Sequence, residues 1–289
     1  MHSLNKALIV GTGFGSLYKK IYEDMNVQVT TVDIADPNAD YKHVYKALDA
    51  GLVQWDVCHI TTPNHTHYPL ADLCANFCSM VFVEKPGVED PELWGELLED
   101  HPDTRIMMTK NNQYRDNVHQ IREASKQGQV RINWINNNRV PKPGSWFTNK
   151  KLAFGGVSRD LMPHLLSWVQ VLDDDWLHMK PNWSRLDQKW TTKDLTDTDY
   201  GAINKDGVYD VDDECYIDMG KYVLHADWRS MIGDDIAIHT NKVSFQLGLC
   251  PESAYEAMIR IAYENLNNDE FWNKQRDMDL WIHKILASL

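Results

Sequence analysis

The sequence predicts two domains: an α/β domain built on a parallel sheet, then an α+β domain built on an open, mostly antiparallel sheet. Three observations lead there. Over the first hundred or so residues, continuous apolar strand-like runs alternate with helical patterns across short joins, the pattern of a sheet covered on both faces. After Gly128 the strand-like runs follow one another with hairpin-like joins and, apart from the helix in GGVSRDLMPHLLSW, no helices between them. The length, 289 residues, exceeds what one hydrophobic core usually organises. The boundary falls between 113 and 114.

The elements can be justified in order. KALIVG is a buried-strand run and GSLYKKIYEDM a helix; VQVTTVDI is a strand and DYKHVYKALDAG a helix closed by Gly51. DVCHITTP and HYPLADLCANF repeat the pair, as do SMVFVEKP and DPELWGELLEDH, and TRIMMTK with NVHQIREASKQG completes the series. VRINWINNN, YDVDDECYIDMG, YVLHADWRSM and KVSFQLG read as strands of the second sheet. ESAYEAMIRIAYENL and DEFWNKQRDMDLWIHKIL read as terminal helices.

Composition narrows the function classes. Hydrophobic residues make up 43%, with 11 Trp and 12 Tyr, enough for real cores and too many for a disordered chain. A net charge of −13 repels phosphate backbones and argues against nucleic-acid binding. The first residues show no leader-like pattern and no apolar run is long enough to span a membrane, so a cytoplasmic protein without membrane contact is expected. Five cysteines without paired spacing read as reduced core residues, neither a disulfide frame nor a zinc site.

GTGFGS follows the first strand and opens the first helix, bringing Gly11, Gly13, Phe14 and Gly15 together. Gly11 permits the turn and Gly13 lets the backbone approach a pyrophosphate at the helix N-terminus, with Ser16 at the third small position. Asp33 ends the second strand twenty positions after Gly13. A carboxylate there can accept both ribose hydroxyls, and Ile34 and Ala35 offer no cation for a 2′-phosphate, so NAD is expected over NADP.

Two further loops leave the carboxyl ends of strands, the ligand edge of an open α/β sheet. TTPNHTH carries Thr62, Pro63, Asn64 and His67, and VEKP carries Glu84 and Lys85. His65 and His67 invite a metal reading, but no third ligand is evident and no metal is expected; the acidic run DVDDE fits alternating strand faces better than a calcium loop. In GGVSRDLMPHLLSW, Leu161, Leu165, Trp168 and Leu172 form an apolar helical stripe, beside which Asp160 and His164 stand four apart with Pro163 between them. An exposed cap-and-pair on a core helix is the alternative to a catalytic pair there. The regular helix is expected to start near Asp160, with Pro163 in its first turn. Arg115 and Trp146 are substrate candidates, against a linker salt bridge and a packing role.

Together GTGFGS, TTPNHTH, VEKP, Tyr114-Arg115 and GGVSRDLMPH resemble, in order and spacing, the glucose–fructose oxidoreductase, inositol dehydrogenase and rhizopine-catabolism family (Gfo/Idh/MocA). The resemblance implies an N-terminal Rossmann domain and a C-terminal domain whose open sheet joins subunits into homodimers or homotetramers. It implies cofactor contacts from the loops just named, His67 among them. It places Lys85, often followed by a cis bond to Pro86, near the nicotinamide, facing Asp160 and His164. The chain departs from the family at Met162, commonly glycine, and at Ser167, often aspartate.

The expected activity is NAD-dependent hydride transfer between nicotinamide and a hydroxyl of a sugar, polyol or sugar derivative. Imidazole suits proton removal at neutral pH, so His164 is assigned as base, Lys85 as the group positioning the substrate oxygen, and Asp160 as orienter. A lysine base with histidine as positioner stays open. A non-catalytic dinucleotide-binding regulator on the same fold, or a reductase like the biliverdin reductases, are the alternatives.

Overall fold

The computed structural model describes residues 4–51, 54–195 and 201–289. The chain divides into two compact units, Met1–Thr109 with Tyr255–Leu280 and Lys110–Ala254 with Trp281–Leu289. This differs from the colinear boundary expected at 113/114, because a stretch near the C-terminus belongs with the first unit.

In the first unit β1 (Lys6–Val10), β2 (Gln28–Val32), β3 (Trp55–Ile60), β4 (Cys78–Val83) and β5 (Arg105–Met108) alternate with α1 (Thr12–Asp24), α2 (Val44–Asp49), α3 (His67–Ala75) and α4 (Pro91–Asp100). The strand order is β2-β1-β3-β4-β5 with every pair parallel. All five strands and four helices lie where the apolar periodicity put them. The order reverses between β1 and β3, so the crevice outside their carboxyl ends is where such a sheet takes a ligand. Helix starts follow local chemistry: α4 is capped by Asp90, whose side chain accepts from the Leu93 N–H at 2.8 Å, with Pro91 in its first turn.

The second unit holds α5 (Val118–Ala124), β6 (Val130–Ile135), α6 (Lys150–Ala153), α7 (Val157–Asp160), α8 (Met162–Leu172), β7 (Trp183–Asp187), β8 (Glu214–Asp218), β9 (Tyr222–Asp227), β10 (Asp235–His239) and β11 (Ser244–Gln246). Its sheet runs β11-β10-β6-β9-β8-β7 and is antiparallel except for the β6–β9 pair, aligned from Val130↔Tyr222 to Ile135↔Asp227. Helix α8 packs on β6 and β9. Strands β7 and β10 escaped the sequence pattern. The first is a largely exposed edge strand with little apolar content, and the second is a short run hidden behind Gly233-Asp234.

Two helices then close the chain, α9 (Glu252–Glu264) and α10 (Asp269–Ala287). Tyr255 packs against Phe14 and Tyr18 of α1, with ring centroids at 6.0 and 5.8 Å. Arg105 donates to the Leu266 carbonyl at 3.0 Å and pairs with Asp269. Asp279 accepts the Met108 N–H at 2.9 Å, so the last strand of the first sheet is finished by a side chain far along the sequence. Among the described residues no helix is long and apolar enough to cross a membrane. All five cysteines are unbridged, and four of them are buried.

Candidate active site

At the head of the first unit, Gly11 adopts φ +95°, where a Cβ would strike the Thr61 backbone at 2.9 Å, so glycine is required. Gly15 is buried, and a Cβ there would lie 2.6 Å from Ile9 Cγ2; it lets α1 lie close on β1. Ser16, at the third small position of the motif, is exposed and turns its hydroxyl back to the Gly13 carbonyl at 2.9 Å. Gly13 faces open space, with no atom within 4 Å of where a side chain would start. Asp33 lies at the α1 N-terminus: Oδ2 accepts from Thr12 N at 2.8 Å and Thr12 Oγ1 at 3.0 Å, and Oδ1 from Ala35 N and Asp36 N. Burial pushes its pKa up, but these donors outweigh it and the carboxyl ends below its ordinary value.

The loops after β3 and β4 are tied together by His67. The ring is fully buried, with Nδ1 2.7 Å from the Gly87 carbonyl and Nε2 2.8 Å from the Thr62 carbonyl. Both nitrogens are engaged by backbone, so this histidine, expected at the cofactor, is a strut that sets the shape of both loops. Thr62, Pro63 and Asn64 lie on the same strutted loop, and Asn64 is itself buried. Burial pulls the His67 pKa down to about 4, against the two carbonyls and helped by the Lys85 charge. The unfolded chain, with an ordinary value near 6.5, therefore takes up the proton first as pH falls. Stability from this group is expected to be lost between pH 6.5 and 4, by about 3 kcal/mol. Thermal unfolding of the wild type and His67→Asn across that window checks this; equal slopes for the two would reject it.

Glu84 and Lys85 follow β4, and the Lys85–Pro86 peptide is cis, as the resemblance implies. Glu84 accepts from the Tyr18 hydroxyl of α1 at 2.5 Å, and burial raises its pKa above the ordinary carboxylate value. The Tyr18 ring stacks on His59 with centroids 3.9 Å apart. Tyr18 reads as one more apolar position of an amphipathic helix, so no signal in the sequence marks its polar role.

In the second unit the GGVSRD turn is built around Asp212. Its carboxylate accepts from Gly156 N at 2.9 Å, Ser158 N at 2.7 Å and Ser158 Oγ at 2.9 Å, and its carbonyl accepts from Val157 N at 2.9 Å. The acidic run before β8 thus consists of loop acceptors: Asp210 takes the Lys150 N–H, and Asp213 takes the Lys189 and Trp190 N–H groups. This replaces the alternating-face explanation expected for it. Asp160 ends α7, the chain breaks at Leu161, and α8 begins at Met162 with Pro163 in its first turn, slightly later than expected. The apolar stripe of Leu161, Leu165, Trp168 and Leu172 is buried.

Asp160 Oδ2 accepts from the Trp228 indole N–H at 2.9 Å. His164, in the first turn of α8, stacks on Trp134 of β6 with centroids 5.1 Å apart and planes at 25°. Its Nδ1 lies 3.2 Å from Asn112 Nδ2. Asn112 Oδ1 in turn accepts from Arg115 Nε at 2.8 Å. Arg115, a substrate candidate from the sequence, is 8% exposed, and its other nitrogens donate to the Leu247 and Gly248 carbonyls at 2.8 and 3.1 Å. Nε, Nη1 and Nη2 of this buried guanidinium are thus all engaged within the second unit. Trp146, partly exposed, stacks on Phe147 at 3.8 Å. Asn112, Trp134 and Trp228 went unrecognised in the sequence, since neither a lone Asn nor a strand Trp carries a motif.

Away from these residues, Glu214, His225 and Asp227 place one ligand-type atom each within 4.8 Å of one another on the sheet face opposite α8. Lys189 lies among them, 2.8 Å from Glu214 Oε2 and 3.8 Å from Asp227 Oδ2, and so supplies a cation of the protein's own.

The fold has solved counterparts. GenD2 from gentamicin A biosynthesis, in complex with NAD, superposes with a TM-score of 0.76 at 16% identity, over 100% of this chain and 93% of that one. A myo-inositol dehydrogenase from Corynebacterium glutamicum gives 0.69 at 13% identity, over 99% and 96%. The chain shares the fold of GenD2 and of this myo-inositol dehydrogenase. The resemblance read from its motifs holds at the level of fold. In sequence, 122 residues are 28% identical to the putative UDP-kanosamine synthase oxidoreductase subunit of Amycolatopsis mediterranei, 40% of this chain and 34% of that relative. The chain thus matches about a third of that relative's length. No protein-family model matches.

Proposed function

We propose that the protein is an NAD-dependent oxidoreductase that transfers hydride between a sugar, polyol or sugar-derivative hydroxyl and the nicotinamide. The observation that carries this reading is the opening above Gly13 at the N-terminus of α1. There the missing side chain and the helix dipole favour close approach of a pyrophosphate. Asp33, seated beside it, suits the adenosine ribose, and its charge repels a 2′-phosphate. Phe14, 46% exposed, and the loops carrying Thr62, Pro63, Asn64 and Glu84 flank the same sheet edge. When bound, NAD supplies the hydride acceptor. GenD2 was solved with NAD and a myo-inositol dehydrogenase shares the fold, which supports both the cofactor and the substrate class.

Lys85, Asp160 and His164 are the residues assigned to the chemistry. Asp160 is steadied by Trp228, and His164 by Trp134 and Asn112. Of the three, Lys85 and His164 are the candidates to take the hydroxyl proton. Trp146 is assigned to the sugar ring as a partly exposed aromatic platform. Homodimers or homotetramers through the second sheet fit the exposure of Arg131, Trp183 and Arg185 on its face opposite α8. Unbridged cysteines fit a reducing cytoplasm.

Incubation with NAD and a panel of free sugars, polyols and nucleotide sugars, followed at the absorbance of reduced nicotinamide, tests the reading. Turnover is expected on at least one class, with NAD bound about tenfold or more tightly than NADP. Absence of NAD binding by calorimetry overturns it. Clear binding with no turnover on any class favours the regulator instead.

A further inference from the structure

We propose that Arg115 and Asn112 are positioning residues that hold His164 in one tautomer, with its proton on Nε2. The imidazole then donates a hydrogen bond to the substrate oxygen and does not take the proton. This rests on the proposed assignment of His164 to the reacting hydroxyl.

Arg115 is the fixed end of the chain of bonds. A guanidinium offers only donors and stays charged, so whatever faces its Nε–H must accept. The atom facing it at 2.8 Å is therefore the oxygen of the Asn112 amide. Flipping that amide would set NH2 against N–H. The Leu247 and Gly248 carbonyls hold the other two guanidinium nitrogens, so the arginine cannot turn to accommodate a flip. Asn112 Nδ2, left facing His164 Nδ1 at 3.2 Å, has only hydrogens to offer. Nδ1 must accept, and in a neutral imidazole the one ring proton then sits on Nε2. The Trp134 stack keeps the ring in that plane.

The consequence reverses the role expected of this histidine. An Nε2–H stabilises negative charge growing on the alcohol oxygen as the C–H bond breaks. The O–H proton passes to Lys85, the other residue assigned to take it. The electron pair of the C–H bond leaves with the hydride for the nicotinamide of NAD, the proposed acceptor, and the carbinol carbon becomes a carbonyl.

The test uses the full chain labelled with ¹⁵N at histidine. Long-range proton–nitrogen correlations separate protonated from bare ring nitrogens, and the spectrum of His164→Gln identifies the His164 ring by its loss. Expected is a bare Nδ1 and a protonated Nε2 in the wild type. Asn112→Asp, whose carboxylate can only accept, is expected to move the proton to Nδ1 and leave the other histidine rings unchanged. A wild-type ring protonated on Nδ1, or an Asn112→Asp ring that keeps its proton on Nε2, overturns the proposal. Should that variant not fold, the wild-type spectrum alone decides. In turnover, Asn112→Asp is expected to lower kcat about 10²-fold with KM for NAD unchanged. An unchanged kcat beside a switched tautomer overturns the donor role. Failure of the functional reading shows separately, as a wild type that binds no NAD and oxidises nothing while its ring spectrum remains readable.

Discussion

Replacing His164 with alanine is expected to lower kcat about 10³-fold, the scale on which loss of a well-placed donor to a developing oxyanion is felt. Binding of NAD should be unaffected, because the residues proposed to hold it belong to the other unit. Loss of the stack on Trp134 should cost about 1 kcal/mol of stability. Steady-state kinetics with NAD calorimetry on the same preparation separates these effects. A fall of less than tenfold removes His164 from the chemistry. The glutamine variant then asks which role was lost. Its amide can donate a hydrogen bond but cannot accept a proton, so recovery of about tenfold over alanine supports donation. No recovery supports proton removal.

Gly156→Ala is expected to destabilise the second unit by about 3 kcal/mol. The cause is steric: a Cβ would sit 1.8 Å from the Asp212 carbonyl oxygen and 2.8 Å from its carbon. Both are backbone atoms and cannot swing aside. Any shift would also pull on the Asp212 carboxylate that caps the turn leading to Asp160 and His164. Gly95→Ala, in the middle of α4, is the control. Nothing lies within 4 Å there, and alanine is the better helix former, so a gain of about 0.5–1 kcal/mol is expected. Denaturant unfolding of the two variants should move in opposite directions. Equal midpoints would show that the close approach at Gly156 does not matter.

The parallel sheet was readable because each of its strands is a continuous apolar run between turn residues, and the helices between them keep one periodic apolar face. The second sheet was readable only where its strands are buried. Trp183–Asp187 lies at an edge with mostly exposed side chains, so neither alternation nor hydrophobicity marks it. The motif residues of the site were visible because turns and strand ends demand particular chemistry: Gly11 at positive φ, Asp33 at the end of β2, Asp160 and His164 around a helix start. Their supports were not. Asn112, Trp228 and Asp212 reach the site from 52, 68 and 54 or more positions away in the chain, and no local spacing encodes such a meeting. His67 and Arg115 have the opposite history. Each carried a residue type suited to ligands, and burial against backbone carbonyls made each a brace.

The bond from Asp279 to the Met108 amide, with Tyr255 set against α1, bears on how the polypeptide is born. A ribosome releases the five strands of the first half long before it reaches the residues that complete them. That half must wait, partly finished, through the translation of the whole second sheet. The first unit therefore reaches its native state only late in synthesis, once the chain through Leu280 has been made.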